Sequence, residues 1–216
     1  PDHRLLFWGW DRSGDERYTV TLRDLATGRD SDLRLEGLAA GSAWALDNET
    51  VFYLRPDETN RPFEVWRHRL GTDPADDVCV LREPDEHYFV AVGLEKDHSY
   101  IQIAAASKIT DEVWVIPADA PGTEPRLIAP RRDGVEYSVA HHGDRFVILT
   151  NDRGAENFMV ATAPEHDPGP DRWEPLTVTR EPDDGDQTPM ISDIDVAEDH
   201  LVLFERAAGS TRIRVR

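Results

Sequence analysis

One cysteine in 216 residues, Cys79, leaves nothing for an intrachain disulfide to close. Its setting in Val78-Cys79-Val80-Leu81 reads as a small buried hydrophobe in a reducing, cytoplasmic compartment. No apolar run approaches the ~20 residues of a bilayer-spanning helix. The opening Pro1-Asp2-His3-Arg4 has no charged start leading into an apolar stretch, so no secretory leader is expected. Basic residues are scarce: 24 Lys and Arg stand against 43 Asp and Glu, a net charge of −19. A surface of that sign repels phosphates and anionic lipids, which excludes nucleic acid and membrane as partners and leaves basic ligands attracted. Helical periodicity is also missing, since no segment keeps apolar residues at i, i+3, i+4 and i+7 over three turns and 15 prolines are scattered along the chain.

Reaction chemistry is equally sparse. A nucleophile elbow needs Gly two positions before the serine, and none of Ser13, Ser31, Ser42, Ser99, Ser107, Ser138, Ser192 and Ser210 has it. The pair His141-His142, placed in a polar turn with Gly143-Asp144, has no further ligand at metal spacing, and adjacent residues point apart. Asp183-Asp184-Gly185-Asp186 lacks the alternating ligands and distal Glu of a calcium loop and reads as a solvated connection. No catalytic, cofactor-binding or metal-binding residue is assigned.

What the chain has in quantity is short apolar runs of period two bounded by Gly, Pro, Asp and Asn, such as Val51-Phe52-Tyr53-Leu54, Val65 to Leu70 and Val113-Trp114-Val115-Ile116. The fold class is all-β. Four strands recur in order: Ser42 to Leu46, Val51 to Arg55, Phe63 to Leu70 and Val78 to Arg82; then Tyr88 to Leu94, Tyr100 to Ala105, Glu112 to Ala118 and Pro125 to Ala129; then Glu136 to Ala140, Arg145 to Thr150, Asn157 to Ala163 and Trp173 to Val178. Three strands are visible at each end, Leu5 to Trp10, Tyr18 to Leu25 and Asp32 to Leu35 at the first, and Ser192 to Ala197, Leu201 to Glu205 and Thr211 to Val215 at the last. Tyr18, Phe63, Val113, Phe158 and Arg212 mark equivalent positions roughly every 45–54 residues, the size of a four-stranded antiparallel propeller blade. The expected architecture is one partial β-propeller of about 4 to 5 blades over residues 1–216, with blades near 1–36, 37–83, 84–130, 131–180 and 181–216.

Alternating strand direction sends one set of loops to a common face: Asp11 to Arg17, Pro56 to Arg61, Ser107 to Asp111, Asn151 to Glu156 and Ala207 to Ser210. Gly14-Asp15-Glu16-Arg17-Tyr18 and Gly154-Ala155-Glu156-Asn157-Phe158 share a plan in which Gly turns the chain and an aromatic packs at the strand start. The candidate functional residues are the acids of that rim, Asp11, Asp15, Glu16, Asp57, Glu58, Asp111, Asp152 and Glu156, which could steer Arg- or Lys-bearing peptides or pair with a basic surface.

Particular stretches carry a resemblance. Asp11-Arg12-Ser13-Gly14-Asp15-Glu16-Arg17-Tyr18-Thr19-Val20, Asp24-Leu25-Ala26-Thr27-Gly28, Val65-Trp66-Arg67-His68-Arg69-Leu70-Gly71-Thr72-Asp73-Pro74, and Tyr137 to Val139 through His142 to Phe146 as far as Leu149 to Asp152 resemble the propeller of the oligopeptidase B branch of the prolyl oligopeptidase family. The match runs nearly end to end and in order. It implies a parent with a seven-bladed propeller and an α/β-hydrolase domain bearing a Ser/Asp/His triad. The propeller of such a parent filters and gates access, and the branch cleaves short peptides after Arg or Lys. The start without Met and the end in Arg212-Ile213-Arg214-Val215-Arg216 then suggest a piece of a longer chain without its catalytic domain, whose partners would be that hydrolase domain and short basic peptides. Incomplete blades would leave edges that invite self-association. A stand-alone interaction propeller is the alternative. A sugar- or small-molecule-binding propeller would need a site on the first strands, which offer Ser42, Trp44, Phe89, Glu136, Tyr137, Ser138, Asp193 and Asp195.

Overall fold

The computed structural model describes residues 3–176 and 189–216. The acidic run at 183–186 and the end of the expected strand at 177–178 lie outside them. The chain is nearly all-β and forms antiparallel sheets of the kind expected of a partial propeller. Two compact units are present, one of Pro1–Ser107 with Trp114–Arg126 and one of Lys108–Val113 with Leu127–Arg216.

The first sheet holds β1 (Leu5–Trp10), β2 (Tyr18–Asp24), β3 (Arg29–Asp30) and β4 (Leu35–Leu38), with β3 and β4 both pairing β2. The single strand expected at Asp32 to Leu35 is thus two short segments around a loop. Gly28, at φ 70°, turns the chain so that Arg29 and Asp30 fold back on Asp24 and Arg23, where Arg23 and Asp30 pair at 2.7 Å. Leu35 and Leu38 then return opposite Val20 and Tyr18 because both leucines are buried against Tyr53 of the next sheet.

The second sheet runs in the order β5 (Ser42–Trp44), β6 (Thr50–Pro56), β7 (Pro62–Arg69) and β8 (Val78–Arg82). Val51, Phe52, Tyr53 and Leu54 are all buried, so β6 has no solvent face. Phe52 and Leu54 pack with Val65, Ile101 and Ile103, while Tyr53 packs the other way with Val20, Leu35 and Leu38. A sheet covered on both sides reads as a continuous apolar run, which explains why alternation fails at this strand, as it does along Phe146 to Leu149. Cys79, expected to be buried, is half-buried because it lies on the outer strand β8.

The third sheet, in the order β12-β11-β10-β9, is built from β9 (Phe89–Leu94), β10 (Tyr100–Ala106), β11 (Asp111–Pro117) and β12 (Arg126–Ala129). The fourth has β13 (Tyr137–His142), β14 (Arg145–Thr150), β15 (Met159–Pro164) and β16 (Glu174–Pro175), and the fifth has β17 (Met190–Val196), β18 (Leu201–Ala207) and β19 (Ser210–Val215). In the second unit Val147, Leu149 and Val160 of the fourth sheet pack with Ile191 and Leu203 of the fifth. The turn expected to begin at His141 begins two residues later: β13 continues through His142, which pairs with Arg145, and only Gly143 and Asp144 turn the chain. His141 is buried and His142 exposed, so the two imidazoles face opposite sides of the strand.

Candidate functional site

The hairpin loops β1–β2 and β6–β7 come together in the first unit and form one wall of an open groove of about 1050 Å³. Asp11 shapes the first loop. Its carboxylate accepts the N–H groups of Ser13, Gly14 and Glu16 at 3.0, 2.8 and 2.9 Å. The Glu16 N–H, then that of Gly14, hold its carboxyl below the usual range. These bonds support a tight turn in which Gly14 and Glu16 take φ of 75° and 63°. Asp15 accepts the Ser13 hydroxyl at 2.8 Å and the Arg17 N–H at 3.2 Å.

Asp57 plays the same part in the second loop. It accepts the Thr59 N–H and hydroxyl at 2.8 and 2.7 Å and the Arg61 N–H and Nε at 3.1 and 2.8 Å. Burial pushes its carboxyl up, but the bonds from Thr59 and Arg61 outweigh that and bring it down to about 2. The loops are tied to each other by Arg17, whose Nη2 donates to the Asp57 carbonyl at 2.7 Å, and by Asn60, whose amide donates to the Asp15 carbonyl at 2.9 Å. Buried Arg61 extends the tie to the connection between the second and third sheets, donating from Nη1 to the carbonyls of Asp85 and Tyr88 at 3.0 and 2.8 Å.

Five acids named from the sequence therefore share this region, in two roles. Asp11, Asp15 and Asp57 spend their oxygens on loop geometry. Glu16 and Glu58 are exposed in the groove, and their carboxylates make no hydrogen bond or ion pair among the described residues. A third such carboxylate, Glu86, enters from the inter-sheet connection, and exposed Phe89 adds an apolar contact. Sequence reasoning passed over Glu86 and Arg61. The spacing of Asp57 and Arg61 across one hairpin was a usable signal for the latter, whereas nothing local marks Glu86.

In the second unit the remaining acids are placed differently. Asp152 is buried and held bidentate by Arg132 at 3.0 and 2.9 Å. Burial raises its carboxyl, and Arg132 overrides that to lower it. Asp111 is half-buried and accepts the Tyr137 N–H at 3.1 Å. Burial lifts it to about 6, the Tyr137 bond opposing and the Glu136 charge adding to the lift. Glu156 is exposed in the loop that follows Gly154, and Phe158 packs on the core below it, as Tyr18 does below Glu16. Of the expected first-strand lining, Tyr137 turns inward: its hydroxyl donates to the Ala129 carbonyl at 2.6 Å and accepts the Val113 N–H at 2.8 Å.

A family model described as the prolyl oligopeptidase N-terminal beta-propeller domain matches residues 1–216. "Protease 2" of Moraxella lacunata is 34% identical over 168 residues, 77% of this chain and 24% of its own. "Dipeptidyl aminopeptidase BI" of Pseudoxanthomonas mexicana is 32% identical over 215 residues, 99% of this chain and 29% of its own. Among solved structures, oligopeptidase B from Leishmania major superposes with a TM-score of 0.89 at 30% identity, covering 100% of this chain and 29% of that one. Oligopeptidase B from Trypanosoma brucei with covalently bound antipain, in a closed form, gives 0.86 at 28% identity over the same shares, 100% and 29%. The chain thus spans 24% and 29% of the lengths of the two curated relatives.

Proposed function

This chain belongs to the prolyl oligopeptidase N-terminal β-propeller family, and on that premise we propose that it is the non-catalytic filter and gate of a serine oligopeptidase that cleaves short peptides after Arg or Lys. Its working partner is an α/β-hydrolase domain on the same longer chain. The observation that carries this reading is the groove between two braced loops, where Glu16, Glu58 and Glu86 present carboxylates that make no ion pair among the described residues, while the arginines of the same lining are engaged elsewhere, Arg61 with Asp57, Arg82 with Glu64 and Arg17 with the Asp57 carbonyl. A guanidinium or ammonium group approaching that rim is attracted before any contact forms. Each exposed pair contributes about 0–1 kcal/mol. The effect therefore falls on encounter rate and salt dependence, and a gate closed by such pairs reopens easily.

The test uses the longer protein with its catalytic domain and an arginyl fluorogenic dipeptide. Glu16→Gln/Glu58→Gln/Glu86→Gln is expected to lower kcat/KM about 3- to 10-fold at low ionic strength and to converge on wild type near 0.5 M salt, where screening acts over a few ångströms. Equal rates at low salt refute the steering role. The 216-residue chain alone is expected to leave the same substrate intact, and robust hydrolysis by it in pure form refutes the non-catalytic reading.

A further inference from the structure

The acidic groove of the first unit has an apolar component that charge steering does not use. Phe89 lines it and is 57% exposed, and Pro56, Phe63 and Pro84 line the same space. Phe89 opens β9, where the next residue, Val90, turns inward against Phe52, Ile101 and Ile103, so alternation sends the phenyl ring to the other side of the strand. An apolar surface rimmed by polar residues is the pattern of an interaction site.

Both walls of the groove are held in place before any ligand arrives. Buried Arg61 donates to the carbonyls of Asp85 and Tyr88, on either side of Glu86, at 3.0 and 2.8 Å. Glu83 accepts the Asp85 N–H at 2.9 Å, and the Tyr88 N–H closes the turn on the Asp85 carbonyl at 3.1 Å. One clamp therefore sets Glu86 and Phe89 together. On the facing wall the Arg17 and Asn60 ties fix the loops that carry Glu16 and Glu58. A surface fixed in this way loses little conformational freedom on binding.

The charges select the occupant. A second copy of this chain carries −19 and is repelled. A basic residue alone meets the carboxylates but leaves Phe89 in water, and a neutral aromatic peptide covers Phe89 but leaves the carboxylates uncompensated. We propose that this groove holds short peptides in which a Lys or Arg stands next to an aromatic residue, the cation among Glu16, Glu58 and Glu86 and the ring against Phe89. Such holding rests on the acidic rim described above and adds a specificity that salt does not erase: the charge sets the rate of arrival, and the contact with Phe89 sets the residence time.

The probes are the blocked tripeptides Lys-Phe-Lys and Lys-Gly-Lys, titrated into the 216-residue chain and followed by amide NMR. Saturable shifts are expected at 16–17, 57–61 and 85–89, with a dissociation constant of about 0.1–1 mM for Lys-Phe-Lys and about tenfold weaker for Lys-Gly-Lys. Phe89→Ser, at an exposed position, should erase that difference by weakening Lys-Phe-Lys alone, whereas Glu16→Gln/Glu58→Gln/Glu86→Gln should weaken both peptides. In the longer protein, Phe89→Ser should raise KM about fivefold for a fluorogenic arginyl peptide extended by Lys-Phe and leave kcat in place. Equal affinities of the two peptides for the wild-type chain overturn the holding role. A tenfold difference that survives in Phe89→Ser overturns it as well, and so does an unchanged KM in the longer protein, which would mean that the hydrolase domain occupies the groove. The arginyl dipeptide of the steering test carries no aromatic residue, so its rates report on the rim alone and the two failures are read separately.

Discussion

Replacing Arg61 by leucine removes the tie between the acidic loop 57–61 and the connection that brings Glu86 to the groove. The side chain is 7% exposed and pairs with Asp57 at 2.8 Å, and its Nη1 donates to the Asp85 and Tyr88 carbonyls at 3.0 and 2.8 Å. Leucine fills part of the volume but withdraws every one of those donors. Removing one member of a buried ion pair costs about 3–5 kcal/mol. Asp57 keeps its Thr59 bonds and is 19% exposed, so the lower end applies, about 3 kcal/mol. Two charged hydrogen bonds to carbonyls at about 1.5 kcal/mol each give the same figure. For a chain of this size about 2–4 °C is lost per kcal/mol, so the unfolding transition of the first unit should fall by about 6–12 °C at pH 7. Scanning calorimetry reads this directly. The pH dependence supplies an internal check. A carboxyl held at about 2, below its unfolded value, contributes stability that is complete above about pH 4 and is lost as pH falls through 2. Arg61→Leu brings the Asp57 carboxyl back toward the ordinary range, so the gap between variant and wild type should narrow in strong acid. A loss below 2 °C at pH 7 would refute the bracing role assigned to Arg61.

Other substitutions test other parts of the chain. Asp111, lifted to about 6 by burial, must ionise against its surroundings at neutral pH, so stability falls as pH rises from about 4 to 6. Asp111→Asn should gain about 1–2 kcal/mol at pH 7, with the half-exposed site discounted for screening, and nothing at pH 4. Urea unfolding at the two pH values measures the difference. Tyr137→Phe takes a donor from the Ala129 carbonyl and an acceptor from the Val113 N–H in a buried setting. It should cost about 2–4 kcal/mol in the same assay, and a cost below about 0.5 kcal/mol would mean that neither bond matters. The Cys79 thiol is pushed up by burial and by the nearby Glu64 charge. It should react with a disulfide reagent at pH 8 at least about tenfold more slowly than a free thiol, and at the free rate in urea.

The blade plan was legible because strand pairing leaves local marks. Alternating apolar residues, polar turns and a ~45-residue recurrence are properties of the chain itself, and the second, third and fourth sheets follow them closely. The shared loop plan ending in Tyr18 and Phe158 was legible for the same reason, since a glycine turn before an aromatic anchor is a local device. The departures occur where a distant surface chooses. Leu35 and Leu38 form a strand because Tyr53, on another sheet, covers them, and β6 loses its alternation because it is covered on both faces. Histidines 141 and 142 looked like turn residues by polarity, yet cross-strand pairing with Phe146 and Arg145 keeps them in β13.

Composition alone determined that the chain as a whole would be acidic, with 43 Asp and Glu against 24 Lys and Arg. It did not determine which carboxylates are available. Asp57 and Asp152 look the same as Glu16 and Glu58 in the sequence, but the first two face Arg61 and Arg132 at hydrogen-bond distance and the other two face solvent. Asp57 braces its own loop through Thr59 and Arg61, within four residues, whereas Asp152 is held by Arg132, twenty residues away, a partner that the chain brings to it only when folded. That clamp on Asp152 and the arrival of Glu86 beside Glu58 were decided by the tertiary structure alone.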